Sequence, residues 1–156
     1  NATAFLIGLM LWILAITPDL FERLKVQPEL TALAVIEALR WQGPTQFIPR
    51  FATETTSLGN RTIKPGEGVL AVVTAAGRDP ERFERPDEFL LGRSFRGQLQ
   101  FGSGEHHCIG AGAAMGLAEE TVLAMLSVTD TPPLIQKIEW GGTMTLRGFK
   151  SLYLKV

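Results

Sequence analysis

Residues Phe101 to Gly110 read FGSGEHHCIG, and Cys108 within them is the only cysteine of the 156-residue chain. A single cysteine makes no internal disulfide, which sets aside the stapled folds of secreted proteins and favours a reducing compartment. Free cysteines are commonly buried and inert, yet an inert one seldom sits in a glycine-rich loop. As zinc ligands, His106, His107 and Cys108 are too close in sequence to converge on one tetrahedral ion, and no second ligand pair exists. As a nucleophile, Cys108 could take His106 or His107 as its base, but no protease or hydrolase signature surrounds them. A fourth reading is a thiolate ligand to iron. Glycines let the backbone approach a flat macrocycle and free amide groups to bond the sulfur. The helix predicted just beyond Cys108 presents its positive end to a thiolate. A thiolate trans to oxygen pushes electron density toward O–O cleavage.

Upstream, Thr31–Trp41 reads as a helix whose only charged side chains are Glu37 and Arg40. Three residues apart, they share a side of the helix. A surface ion pair is worth a few tenths of a kcal/mol, but a surface helix carries more polar residues than this one. An acid and a base within an apolar helix need each other and further partners to offset their desolvation, so a buried, architectural pair is expected. Further upstream, Ala2 to Ile16 reads ATAFLIGLMLWILAI, and no charge precedes Asp19. A membrane span needs roughly 20 such residues. A secretory signal has a basic start and a small-residue cleavage site, and neither is present. The expectation is a helix apolar on every side, buried in a sizeable protein.

The remaining punctuation predicts a helix from Thr17-Pro18-Asp19, with Thr17 as its cap, through Leu24. A strand is expected over Phe47–Thr55, then a turn at Gly59-Asn60 and a second strand over Val69–Val73. Arg78–Arg96 reads as a loop of five arginines against five acids. Gly102–Gly112 runs into an Ala-rich helix to about Val128, and Leu134–Trp140 with Thr143–Leu146 suggests a hairpin around Gly141-Gly142. The fold class is α+β, mostly α, with no internal repeat and no second domain over 1–156. With net charge −1 and 20% charged residues, neither a dedicated nucleic-acid binder nor a disordered chain is indicated.

FGSGEHHCIG resembles the signature of the cytochrome P-450 family of haem-thiolate monooxygenases: Phe, two residues, Gly, one residue, His or Arg, one residue, Cys, one residue, Gly. Glu37-Ala38-Leu39-Arg40 matches the family's E-x-x-R pair at a family-like distance, 71 residues before the cysteine (108 − 37). RDPERFERPDEFLLGR resembles the segment carrying the third member of the family's Glu-Arg-Arg triad, which falls on Arg93. The closing TLRGFKSLYLKV is similar to the end of the bacterial, soluble type. The resemblance implies the C-terminal part of that fold: a central distal helix, the E-x-x-R helix, small β-sheets, the Cys-ligand loop and its following helix. It implies haem b (iron protoporphyrin IX) with Cys108 as proximal iron ligand. Arg50 and His106 fall where the haem propionates are held, and Phe101 matches the aromatic packed near the sulfur. Gly102, Ile109 and Gly110 complete the cofactor loop.

The same resemblance puts Thr3 on the threonine assisting proton delivery to bound oxygen, though a helix-start cap is an equally ordinary use of that residue. Phe47 and Ile48 fall in a segment that often faces substrate. Three positions depart from the family pattern: Ala2 where an acid usually precedes the threonine, Gln98 where bacterial members often have a histidine, and His107 beside the ligand. The implied activity is insertion of one atom of O2 into a small, mostly apolar organic substrate, with electrons from a ferredoxin or flavodoxin, in the cytoplasm, without membrane or nucleic-acid partners. Arg93 and Arg96 could meet an acidic redox partner, although ordinary solvated charge explains them as well. The alternative is a truncated or degenerate haem-binding or interaction fragment without oxygenase activity.

Overall fold

The computed structural model describes residues 2–156. Helix α1 (Ala2–Ile16) buries Leu6, Leu9, Met10, Ile13 and Leu14, the i, i+3, i+4, i+7, i+8 spacing of one helix face. It is not enclosed on every side, since Ala2, Ala4 and Ile16 are exposed. Pro18 forces a break, and α2 (Pro18–Val26) leaves at 103° to α1. Thr17 stands at the cap position, but its hydroxyl makes no cap bond. Its ψ of 75° lies outside the extended range of an N-cap, and only its carbonyl serves, accepting from Leu20 and Phe21 N–H.

After a 3-10 turn at Pro28–Leu30, α3 (Thr31–Gln42) runs to Gly43-Pro44. The expected strand over Phe47–Thr55 reduces to β1 (Ile48–Phe51), which pairs antiparallel with β4 (Gly68–Ala71). Between them β2 (Thr56–Leu58) and β3 (Arg61–Ile63) form a hairpin turning at Gly59, φ +55°. The second strand ends at Ala71, and Val73 opens a one-turn helix, α4 (Val73–Ala76). Its carbonyl accepts from Gly77 N–H. The long loop to Gly110 is followed by α5 (Ala111–Val128).

The chain closes with β5 (Leu134–Gly142) paired to β6 (Arg147–Lys155). The hairpin turn is therefore Thr143–Leu146, a four-residue turn that begins two residues after the Gly141-Gly142 turn expected and occupies the stretch expected as the second strand. The two glycines lie inside β5, where a Cβ on Gly141 would sit 3.0 Å from Lys150 Cβ. Here glycine permits close strand approach rather than marking the turn.

Helices α1, α3 and α5 form the centre of the core, with α2 closing one end. By length and composition α5 could cross a membrane, yet its Ala118, Val122 and Leu126 are packed into this core. The β5–β6 hairpin lies on α1 through Trp140 and Phe149, both of which meet Trp12.

Candidate functional site

Glu37 and Arg40 are both fully buried, and Arg40 grips the carboxylate with two hydrogen bonds: Nε to Oε2 at 2.7 Å and NH2 to Oε1 at 2.8 Å. Arg93 Nε donates to the same Oε1 at 3.0 Å, and Leu90 N–H adds a fourth bond at 2.8 Å. One buried anion thus faces two guanidiniums. The spare donors turn to backbone: Arg40 reaches the Gly77, Pro86 and Glu88 carbonyls, and Arg93 reaches those of Glu84, Arg85 and Glu88. Within this stretch Arg85 adopts φ +45°, unusual for a non-glycine residue. The cluster fastens the long loop to the end of α3. Arg93, its side chain 9% exposed, is committed here and is not free to meet a partner; Arg96 is exposed.

From that anchored loop the chain enters Phe101–Gly110. Gly102 at φ +74° and Gly104 at φ +65° take left-handed turns open mainly to glycine. A Cβ on Gly102 would also lie 3.2 Å from the His106 carbonyl oxygen. The loop closes on itself: Cys108 N–H donates to the Phe101 carbonyl at 2.8 Å, and Ala111 N–H to the Cys108 carbonyl at 3.2 Å. Cys108 is consequently held just before α5, with its thiol exposed.

A cavity of about 340 Å³ opens beside it. Ala2, Thr3 and Leu6 of α1 form one wall, and Leu39 of α3 and Ala114 of α5 contribute apolar surface. Pro44, Thr45, Ile48 and Arg50 line another side, and the loop supplies Gln100, Phe101, Gly102, His106, Cys108 and Gly110. Ile48 and Arg50 both reach the cavity because alternate residues of β1 share a face. Phe47, out of that phase, is not in the lining. Nor is Ile109, whose side chain is fully exposed to solvent between two residues that do line it. Leu6, Leu39, Thr45, Gln100 and Ala114 were not singled out in the sequence. Only Leu6, three residues after Thr3 on one helix, and Ala114, on the first turn of α5, carried a spacing that could have found them.

Among the described residues no group of three or more His, Cys, Asp and Glu converges on a possible ion. A metal at Cys108 would need its other ligands from a cofactor. The lining suits a flat, largely apolar ligand bearing carboxylates. The walls are aliphatic or small, glycines admit close approach, and Arg50 has no carboxylate partner among the described residues, its NH1 bonding only the adjacent Pro49 carbonyl.

The fold thus sets the lone cysteine on a glycine loop beside this cavity, against a helical core flanked by small sheets. The cytochrome P450 family profile matches residues 26–128, and the chain belongs to that family, whose members bind haem b. It is 36% identical to cytochrome P450 CYP199A2 of Rhodopseudomonas palustris over 96% of its own length and 36% of that protein's. With cytochrome P450 144 of Mycobacterium tuberculosis it shares 35% identity, over 91% of this chain and 32% of the other. The fold matches crystalline CYP109B1 of Bacillus subtilis with a TM-score of 0.93 at 33% identity, covering 99% of this chain and 42% of that one. The chain therefore spans about a third of the length of the curated relatives it matches.

Proposed function

We propose that the protein containing this chain is a haem-thiolate monooxygenase that places one oxygen atom of O2 into a small, mostly apolar organic substrate. The observation that carries this reading is Cys108 in the lining of an apolar cavity that also presents Arg50 and His106. When bound, the haem supplies the redox and oxygen-activating chemistry. Cys108 holds the iron through its thiolate, and Arg50 and His106 hold the propionate carboxylates by charge-assisted hydrogen bonds. Gly102 and Gly110 keep the loop free of side chains at the ring face, and Phe101 lines the cavity beside Cys108. Thr3 offers a hydroxyl that accepts or donates a proton at Oγ1 within the α1 wall, while Leu6 and Ile48 orient an apolar substrate. Electrons come from a ferredoxin or flavodoxin in the cytoplasm. Arg96, exposed and without an acidic partner among the described ion pairs, is one contact for such an acidic surface.

The second reading, a haem-binding or interaction fragment without oxygenase activity, is favoured by apolar residues left exposed, Leu117 at 57% and Phe51 at 72%. Carbon monoxide difference spectroscopy of the reduced, haem-loaded protein separates the two. The monooxygenase reading expects a strongly red-shifted, thiolate-type Soret band that Cys108→Ser abolishes. An absent band, or a histidine-type band indifferent to Cys108→Ser, would sink it.

A further inference from the structure

Gln100 is the one polar residue of the cavity lining that is 94% or more removed from solvent, at 6% exposure. It reaches little that a buried amide ordinarily requires. Its Nε2 donates to the Val73 carbonyl at 3.4 Å, at the long limit of a hydrogen bond, and its Oε1 is buried without a partner. A buried polar atom without a partner is a net cost to the fold, so hydrogen bonding does not account for this side chain. Its surroundings do. It lies between two glycines, Gly43 at the end of α3 and Gly77 after α4. A Cβ on Gly43 would stand 3.2 Å from Gln100 Cγ, and one on Gly77 would stand 2.6 Å from Gln100 Nε2. Both hypothetical Cβ atoms would also collide with α3 backbone oxygens, those of Leu39 and Arg40. Close-packed interiors leave few such niches empty, and Gln100 fills this one.

We infer that Gln100 is a positioning residue for the thiolate loop, acting as a wedge through its volume. The inference rests on the proposed role of Cys108 as iron ligand. The path is short and continuous. Gln100 is seated against the end of α3, which the Glu37–Arg40–Arg93 cluster immobilises. The next residue, Phe101, presents the carbonyl that receives Cys108 N–H at 2.8 Å. Movement of Gln100 therefore moves the acceptor that orients the cysteine backbone. Removing the wedge leaves a void into which Phe101 can relax, whereas an isosteric apolar side chain keeps the seat and gives up only the orphaned carbonyl and one long bond to Val73.

The test compares Gln100→Ala, Gln100→Asn and Gln100→Met in the haem-loaded protein. Two readings are taken: the reduction potential of the haem iron, and the ratio of thiolate-type to non-thiolate absorbance of the reduced carbon monoxide complex during incubation. Gln100→Ala is expected to shift the potential and to speed loss of the thiolate band by roughly tenfold. Gln100→Asn, one methylene shorter, should fall between it and wild type, and serves in its place where Gln100→Ala gives no folded protein. Gln100→Met should restore both readings. A wild-type potential and band lifetime in Gln100→Ala would overturn the inference. So would a Gln100→Met variant as impaired as the alanine, because the amide and not the volume would then matter. If wild type itself has no thiolate band, the proposed function fails instead, and the two failures are told apart.

Discussion

Glu37→Gln tests the anchoring cluster most directly. The substitution keeps size and shape but removes the sole anion between Arg40, whose side chain is fully buried, and Arg93, whose side chain is 9% exposed. Glu37 accepts four hydrogen bonds, two from Arg40, one from Arg93 and one from Leu90 N–H. A glutamine amide can accept at only one of its two ends, so its NH2 group must face a guanidinium donor. Breaking a buried ion pair from one side costs about 3–5 kcal/mol, because a charge is left uncompensated. Native domains hold only about 5–15 kcal/mol. In population terms the loss is roughly two to nearly four powers of ten. Urea denaturation followed by far-UV circular dichroism measures it. Arg40→Met alone also orphans the Gly77 and Pro86 carbonyls, so it is costly as well, but the two changes share one cause. A double-mutant cycle should show that the pair together costs less than the sum of the singles by about 2 kcal/mol, inside the usual range for residues in one network. A Glu37→Gln variant within about 1 kcal/mol of wild type, or strictly additive singles, would refute the reasoning.

Three further outcomes follow from other parts of the fold. Gly148→Ala should destabilise by about 1–3 kcal/mol, because a Cβ there enters the Phe5 ring of α1; Phe5→Ala in the same chain should recover part of the loss, read as non-additive melting temperatures. Lys25 of α2 donates to the Leu126 and Thr129 carbonyls at 2.5 and 2.8 Å and pairs with Asp130 at 2.9 Å, closing the C-terminal end of α5. Lys25→Met should cost about 0.5–2 kcal/mol, and hydrogen exchange should rise selectively over the last turn of α5. Arg85→Gly relieves the φ of +45° and gives up only an exposed pair with Glu88. It should leave stability within about 1 kcal/mol of wild type, in contrast to Arg93→Gln, which strips a donor from the buried carboxylate.

The burial of Glu37 and Arg40 was legible in the residues alone, because a helix without a polar face has nowhere solvated to put a charge. The reach of α1 and α5, and the placing of Cys108 on a glycine loop just before a helix, were legible for similar reasons. Each depends on periodicity, on proline and glycine, and on the conformations a few adjacent residues can adopt. The hairpin turn was misplaced by the same logic: Gly141-Gly142 reads as a turn locally, yet the pair is needed for close approach to β6. Thr17 likewise has the chemistry of a cap without the backbone angle to use it.

Tertiary structure alone decided which residues face the cavity. Ile109 sits inside the signature and points to solvent, and Phe47 falls out of phase with β1, while Leu39 and Thr45 enter the lining from the end of α3 and the residues just after it, and Gln100 from the far side of the long loop. It alone turned Arg93 inward, and it alone drew five backbone carbonyls onto two guanidiniums. Short-range sterics and solvation act between neighbours in the chain and are therefore written in their order. Cavity walls and shared carboxylates arise between residues brought together from 50 or more positions apart, as Glu37 and Arg93 are, and no local pattern encodes which of them will touch.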